Sequence, residues 1–139
     1  MKLPVDEATK RLRAHDHGVL STINPERGID SVPVVYGIDD DGYIGIPIDT
    51  VKPKTSTNLQ REENLATDRR ATLLVDLWDQ NDWSRLWWVR VRLERMDDDE
   101  GRAARLADVL AAKYSQYSDK PFVRVMIFKP LVVTGWSAT

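Results

Sequence analysis

The run from Leu86 to about Met96 constrains the fold more than any other stretch of the chain. It alternates without a break, with Trp87, Val89, Val91 and Leu93 on one face and Trp88, Arg90, Arg92 and Glu94 on the other. Alternation sustained that long is a β-strand with one face in a core. The second face sets a tryptophan beside two arginines, which is a poor solvent face. It suits a subunit interface or the wall of a ligand site. An arginine ladder along an ordinary exposed strand is the plainer reading of the same residues.

Shorter runs of the same kind surround it. Val19 to Asn24 alternates and is followed by the turn Pro25-Glu26-Arg27-Gly28. Ser31 to Ile38 reads as a second strand, whose Pro33 belongs at an edge or a bulge. The acidic turn Asp39-Asp40-Asp41-Gly42 leads into a third, Tyr43 to Ile48. Those acids lack the ligand spacing and the distal glutamate of a calcium loop, so they read as a hairpin turn. Ala71 to Asp76 is apolar on both faces and therefore central. Phe122 to Phe128 and Leu131 to Trp136 read as two last strands joined at Lys129-Pro130.

Helical signals flank these runs. Pro4 to Ala14 is short and amphipathic, and Leu59 to Leu65 is a second helix. The third opens at the acids Asp97 to Glu100 and runs to about Tyr117, with Leu106, Val109, Leu110 and Lys113 as its packing stripe. The expected fold is a single mainly β (α+β) domain over residues 1–139. About six or seven antiparallel strands, with about three helices outside them, favour a small closed barrel.

Composition excludes several function classes. Twenty basic residues against 22 acidic ones leave a formal charge of -2, with no bulk attraction to nucleic acid or a membrane surface. The absence of cysteine rules out disulfides, thiol catalysis and zinc–thiolate sites, and suits a reducing cytoplasm. The N-terminus has no apolar signal core, and no later apolar run approaches transmembrane length. His15 and His17 would need metal-ligating partners elsewhere and there is no third histidine, so they read as a turn and no metal site is expected.

One loop carries a chemical signal. Asp49-Thr50-Val51-Lys52-Pro53-Lys54-Thr55-Ser56-Thr57-Asn58 joins a strand to a helix. Two lysines at a helix N-terminus conflict with the partial positive charge already there. An anion removes the conflict, because backbone N–H groups, hydroxyls and ammonium groups then converge on one ligand. The loop therefore reads as a phosphate seat. A solvated turn in which Thr57 and Gln60 form a capping box is equally compatible with these residues. No self-contained catalytic constellation accompanies it: nucleophile elbow, dinucleotide fingerprint and Walker loop are all missing. A bound cofactor would have to carry any redox chemistry.

Several segments together resemble a known superfamily. They are Gly18-Val19-Leu20-Ser21-Thr22-Ile23, Val32-Pro33-Val34-Val35-Tyr36, Lys52-Pro53-Lys54-Thr55 and Asp68-Arg69-Arg70-Ala71-Thr72-Leu73-Leu74-Val75-Asp76. The pattern is similar to the pyridoxamine-phosphate-oxidase-like split β-barrel proteins, an FMN-binding-like fold. Asp82-Trp83-Ser84-Arg85-Leu86-Trp87-Trp88-Val89-Arg90 resembles an actinobacterial subgroup identified with deazaflavin (coenzyme F-420) dependence. The resemblance implies a homodimer with a cofactor in a groove between two barrels. It implies that Lys52, Pro53, Lys54 and Thr55 hold the cofactor phosphate, and that Pro47, Pro33 and Val34 border its ring. Trp83, Trp88 and Arg90 would wall the site. No catalytic side chain is assigned; proton delivery would come from solvent or from a polar side chain such as Tyr36. The chain departs from the pattern at Asp68-Arg69-Arg70, where Asp-Pro-Arg is usual, and after Arg90, where turn residues give way to Val91-Arg92-Leu93-Glu94.

Three functions follow as expectations. The first is an oxidoreductase passing a hydride between F-420 and a small unsaturated or quinone-like substrate. The second is an FMN-binding oxidase or non-catalytic flavin carrier. The third, a single-strand nucleic-acid binder with an aromatic and arginine face, is opposed by the balanced net charge.

Overall fold

The computed structural model of the chain describes residues 1–51 and 59–139. Within them lie seven strands and three α-helices. The order is α1 (Val5–Ala14), β1 (Gly18–Asn24), β2 (Gly28–Val34), β3 (Gly37–Ile38), β4 (Ile44–Asp49), α2 (Gln60–Thr67), β5 (Arg70–Leu77), β6 (Trp87–Arg95), α3 (Glu100–Lys113) and β7 (Phe122–Ser137). Short 3₁₀ turns cover Trp83–Arg85 and Ser115–Tyr117. The strands form one antiparallel sheet in the order β2-β1-β5-β6-β7-β4-β3. Its two end strands are consecutive in the chain, joined by Val35 and Tyr36, yet no ladder connects them among the described residues. The barrel is split there rather than closed.

Alternation explains how one sheet encloses one core. Leu20 of β1, Leu73 and Val75 of β5, and Val89, Val91 and Leu93 of β6 all point inward. They meet Ile44, Ile46 and Ile48 of β4 and Met126 and Phe128 of β7 in a single cluster, with Ala8 and Leu12 of α1 packed into it. The opposite face of β4 is covered by α3. A side chain at Gly45 would place its Cβ 2.9 Å from Leu106, so glycine is required for that helix to approach. No helix among the described residues is long and apolar enough to cross a membrane.

Three elements differ from the sequence reading. The run Ser31 to Ile38 is broken into β2 and β3. Pro33 cannot donate to a second ladder and sits on the edge strand opposite Val19. Beyond it Tyr36 leaves the sheet and buries its ring, its hydroxyl donating to the Leu12 carbonyl at 2.5 Å. Conversely, the two expected C-terminal strands are one. β7 pairs with β4 from Phe122 to Phe128 and with β6 from Phe128 to Ser137, and a register shift beside Leu93 accommodates Pro130. The third helix ends at Lys113, and its last turn tightens into the 3₁₀ segment.

Local hydrogen bonds account for the turns. Asp39 accepts from the backbone of Asp41 and Tyr43, each at 3.0 Å, which makes the acidic run a hairpin turn. Arg102 of α3 bridges Asp39 and Asp41 at 2.9 and 2.6 Å. Thr57 of the expected capping box lies outside the described residues; Leu59 is the N-cap of α2, and the Gln60 amide donates to Asn64 at 3.0 Å. At its other end Asp68 does the work expected of a proline. It accepts from the Arg70 backbone at 3.1 Å and binds the Arg70 guanidinium at 2.8 and 3.1 Å, which lowers its carboxyl to about 2.

Asn64 is the polar knot under α2. Buried to 1% exposure, it donates to Thr22 at 2.9 Å and Asp30 at 2.8 Å and accepts from Asn24 at 3.1 Å. Asn64→Ala leaves the buried Asn24 amide without its partner. The expected cost is about 1–3 kcal/mol in a urea denaturation midpoint shift, with an unchanged slope.

Candidate functional site

The site forms where α3 stops. Lys113, Tyr114 and the 3₁₀ turn Ser115–Tyr117 face Val35 on one side and Val51 on the other, around a cleft of about 420 Å³. That volume is within the usual range of small-molecule sites, about 300–1,000 Å³. Aromatic rings supply much of its structure. Tyr114 stands edge-on to Tyr117 at 5.6 Å, and Tyr117 to Phe122 at 4.8 Å.

Hydrogen bonds hold those rings in place. The single Tyr114 O–H is shared between the carbonyls of Asp16 and Tyr36, at 2.8 and 3.0 Å, and the hydroxyl oxygen accepts from the Tyr36 N–H at 3.3 Å. The Tyr117 hydroxyl donates to the buried Asp49 carboxylate. Burial pushes the Tyr114 phenol up to about 12, and burial together with the Asp49 carboxylate raises Tyr117 as well. Both phenols therefore stay neutral at ordinary pH.

Lys113 is the charged member of the cleft. Its Nζ donates to the Tyr36 carbonyl at 3.1 Å and lies 4.1 Å from the Tyr36 ring centre and 5.3 Å from that of Tyr114. Burial pushes its ammonium down to about 8, with Asp16 pulling weakly the other way. Tyr36 itself offers nothing to a ligand, because its hydroxyl is committed to Leu12 inside the core.

The predicted phosphate seat, Lys52, Pro53, Lys54 and Thr55, lies outside the described residues. Its flank is described: Val51 forms part of the cleft wall, with its N–H on Asp49 at 3.1 Å. On the first turn of α2, past the loop, Arg61 is half-buried. Its Nε has no hydrogen-bond partner among the described residues, and burial lowers its pKa despite the nearby Asp49. The residues expected beside a ring are dispersed. Pro33 is exposed on β2, Val34 is 6% exposed in the core, and Pro47 is buried on the α3-facing side of β4. None of the three lines the cleft; their neighbour Val35 does.

Trp88 and Arg90 lie on the outer face of the sheet, as the alternation requires. The Arg90 guanidinium rests 5.3 Å from the Trp88 ring centre. One row across this face is Pro33, Val19, Leu74, Arg90 and Thr134, and the next is Ser31, Ser21, Thr72, Arg92 and Val132. Val19, Leu74 and Val132 remain 37, 41 and 52% exposed. Trp83 is 65% exposed and leans on Trp78 at 5.7 Å. The expected wall is thus separate from the cleft within one chain.

Sequence reasoning missed Arg61, and placed Lys113 in a packing stripe, because helical periodicity reports which face is buried and not what the last residue reaches. His15, Asp16 and His17 do come together, with ligand atoms within 4.8 Å of one another. Asp16 meets His17 Nδ1 at 2.5 Å, which holds the Asp16 carboxyl below its ordinary value.

No family model and no curated protein matches this chain. Solved structures do. A conserved hypothetical protein of Mycobacterium tuberculosis superposes with a TM-score of 0.74 at 18% identity, over 98% of this chain and 86% of that one. An FMN-binding protein from Syntrophomonas wolfei gives 0.68 at 17% identity, over 95% and 88%. A FAD-binding protein from Mesorhizobium loti gives 0.62 at 20% identity, over 97% and 93%. At these identities the likeness is one of fold.

Proposed function

We propose that this split barrel is a coenzyme F-420-dependent oxidoreductase, passing a hydride between the deazaflavin and a small unsaturated or quinone-like substrate. One observation carries the reading. The cleft at the end of α3 is lined both by Val51, which precedes Lys52 in the chain, and by Val35, which follows Pro33 and Val34. The deazaflavin, when bound, supplies the two-electron hydride chemistry that no side chain of this protein can. The protein's part is to bind and orient. Lys52, Lys54 and Thr55, with Pro53 fixing the backbone between them, are assigned the anionic tail. Arg61 fits the same task, since its buried Nε has no hydrogen-bond partner among the described residues and it follows the loop in the chain.

Fluorescence titration with F-420 and FMN side by side tests this. Lys54→Ala or Arg61→Ala is expected to weaken the bound cofactor by about 1.5–3 kcal/mol, the loss of one charge-assisted bond. Equal affinity of either variant and the parent would remove that residue from the site. Failure of both cofactors to bind would end the redox assignment.

FMN is the second reading, supported by the fold shared with an FMN-binding protein. It would make the chain a pyridoxamine-phosphate-oxidase-like oxidase or a flavin carrier. A yellow preparation releasing FMN on denaturation would favour it. In either case the outer face of β1, β5 and β6 is assigned to a homodimer. Trp83, Trp88 and Arg90 would then wall the partner's cofactor groove.

A further inference from the structure

We propose that Lys113 is the oxyanion-binding and proton-donating group of the cleft, acting on the carbonyl oxygen of a conjugated ketone or quinone. The inference rests on the redox reading above and goes beyond it by naming the residue and the atom it serves. The cleft offers a planar ligand the Tyr114 ring and the apolar Val35 and Val51, with Lys113 as the one cation among its described lining residues. Nζ is fixed from below by the Tyr36 carbonyl at 3.1 Å, and that carbonyl also accepts from Tyr114. One N–H is thus spent on position, and two remain for a ligand.

The other described groups around Nζ cannot do this work. Tyr36 is sealed in the core, Tyr114 and Tyr117 have their hydroxyls committed to backbone and to Asp49, and Asp16 is an acceptor only while ionised. Ser115 and Gln116 line the cleft without charge.

The step balances as follows. A reduced deazaflavin or flavin, when bound, would supply the hydride, two electrons and a proton, that adds to the conjugated carbon. The C=C π pair shifts toward the carbonyl, whose oxygen takes up the negative charge. An N–H bond of Lys113 breaks as the O–H bond forms, and the neutral amine regains its proton from water. An ammonium titrating near 8 suits both roles, charged at neutral pH yet able to release its proton.

The test uses 4-nitrophenol, whose yellow phenolate mimics the developing enolate, and needs no cofactor. The protein is expected to bind it as phenolate at pH 6, seen as the yellow band on mixing, and to lose affinity as the pH rises through about 8. Lys113→Met should abolish the band and weaken binding roughly tenfold or more for a lost charge-assisted bond. Lys113→Arg should keep the band but, holding its proton at all accessible pH, should slow F-420-dependent reduction of menadione. A phenolate band unchanged in Lys113→Met, or absent from the parent protein, overturns the proposal. A band lost on substitution with cofactor affinity intact supports it. A phenolate band without cofactor binding refutes the redox reading and the proton step, leaving Lys113 as an oxyanion site alone.

Discussion

Phe128→Ala is expected to destabilise the protein by about 3–5 kcal/mol, the usual cost of emptying a buried aromatic site. Phe128 is fully buried and stands where β7 changes partners, paired with Ile44 on one side and Arg95 on the other. Its ring lies 6.0 Å from the Arg95 guanidinium and within the cluster shared by both halves of the sheet. Ile44, Ile46 and Met126, in the same cluster, sit on paired strands whose backbones cannot close on the emptied volume without breaking a ladder. Since small domains are stable by only about 5–15 kcal/mol, a large part of the total is at stake. Equilibrium unfolding in urea would measure it. A loss under 1 kcal/mol would mean that the core relaxes far more than its packing implies.

The second large effect concerns assembly. Leu74→Lys is expected to convert the proposed homodimer into a monomer, raising the dissociation constant at least about a hundredfold, since an unpaired cation would be buried at the interface. Leu74 is 41% exposed on the outer face, between Val19 on β1 and Arg90 on β6. In a lone barrel the new lysine meets water and one arginine, so the fold should lose no more than about 1 kcal/mol. Sedimentation should show a species of about twice 15.9 kDa for the parent and one of about 15.9 kDa for the variant. A monomeric parent at micromolar concentration would remove the homodimer and the shared cofactor groove with it.

How much of this was legible in the sequence depends on the range of the cause. The two faces of β6 could be read residue by residue, because alternation is a local property and Trp88 and Arg90 fall where it puts them. The acidic hairpin was legible too, since Asp39 caps its own turn. The break after Pro33 was only hinted at. Tyr36 leaves the sheet because Leu12, Lys113 and Tyr114, all remote in sequence, accept or supply its hydrogen bonds and ring contact. Likewise Lys129-Pro130 looks like a turn to any local reading, and only pairing with β6 shows that the strand continues through it. Arg61 and Lys113 share that problem, as each depends on what another element brings up to it. Lys52 and Lys54, the strongest signal in the sequence, lie outside the described residues.

The continuity of β7 has a consequence for how the molecule breathes. A sheet divided between two separate strands could open one half while the other stayed shut. Here the same backbone donates to β4 along its first part and to β6 along its second, so detaching either ladder frays the strand that holds the other. Amide protons of β4 and β6 should therefore exchange with solvent deuterium through one common opening. The wall beneath the α3 cleft and the tryptophan–arginine face would then be lost together, as a single cooperative unit.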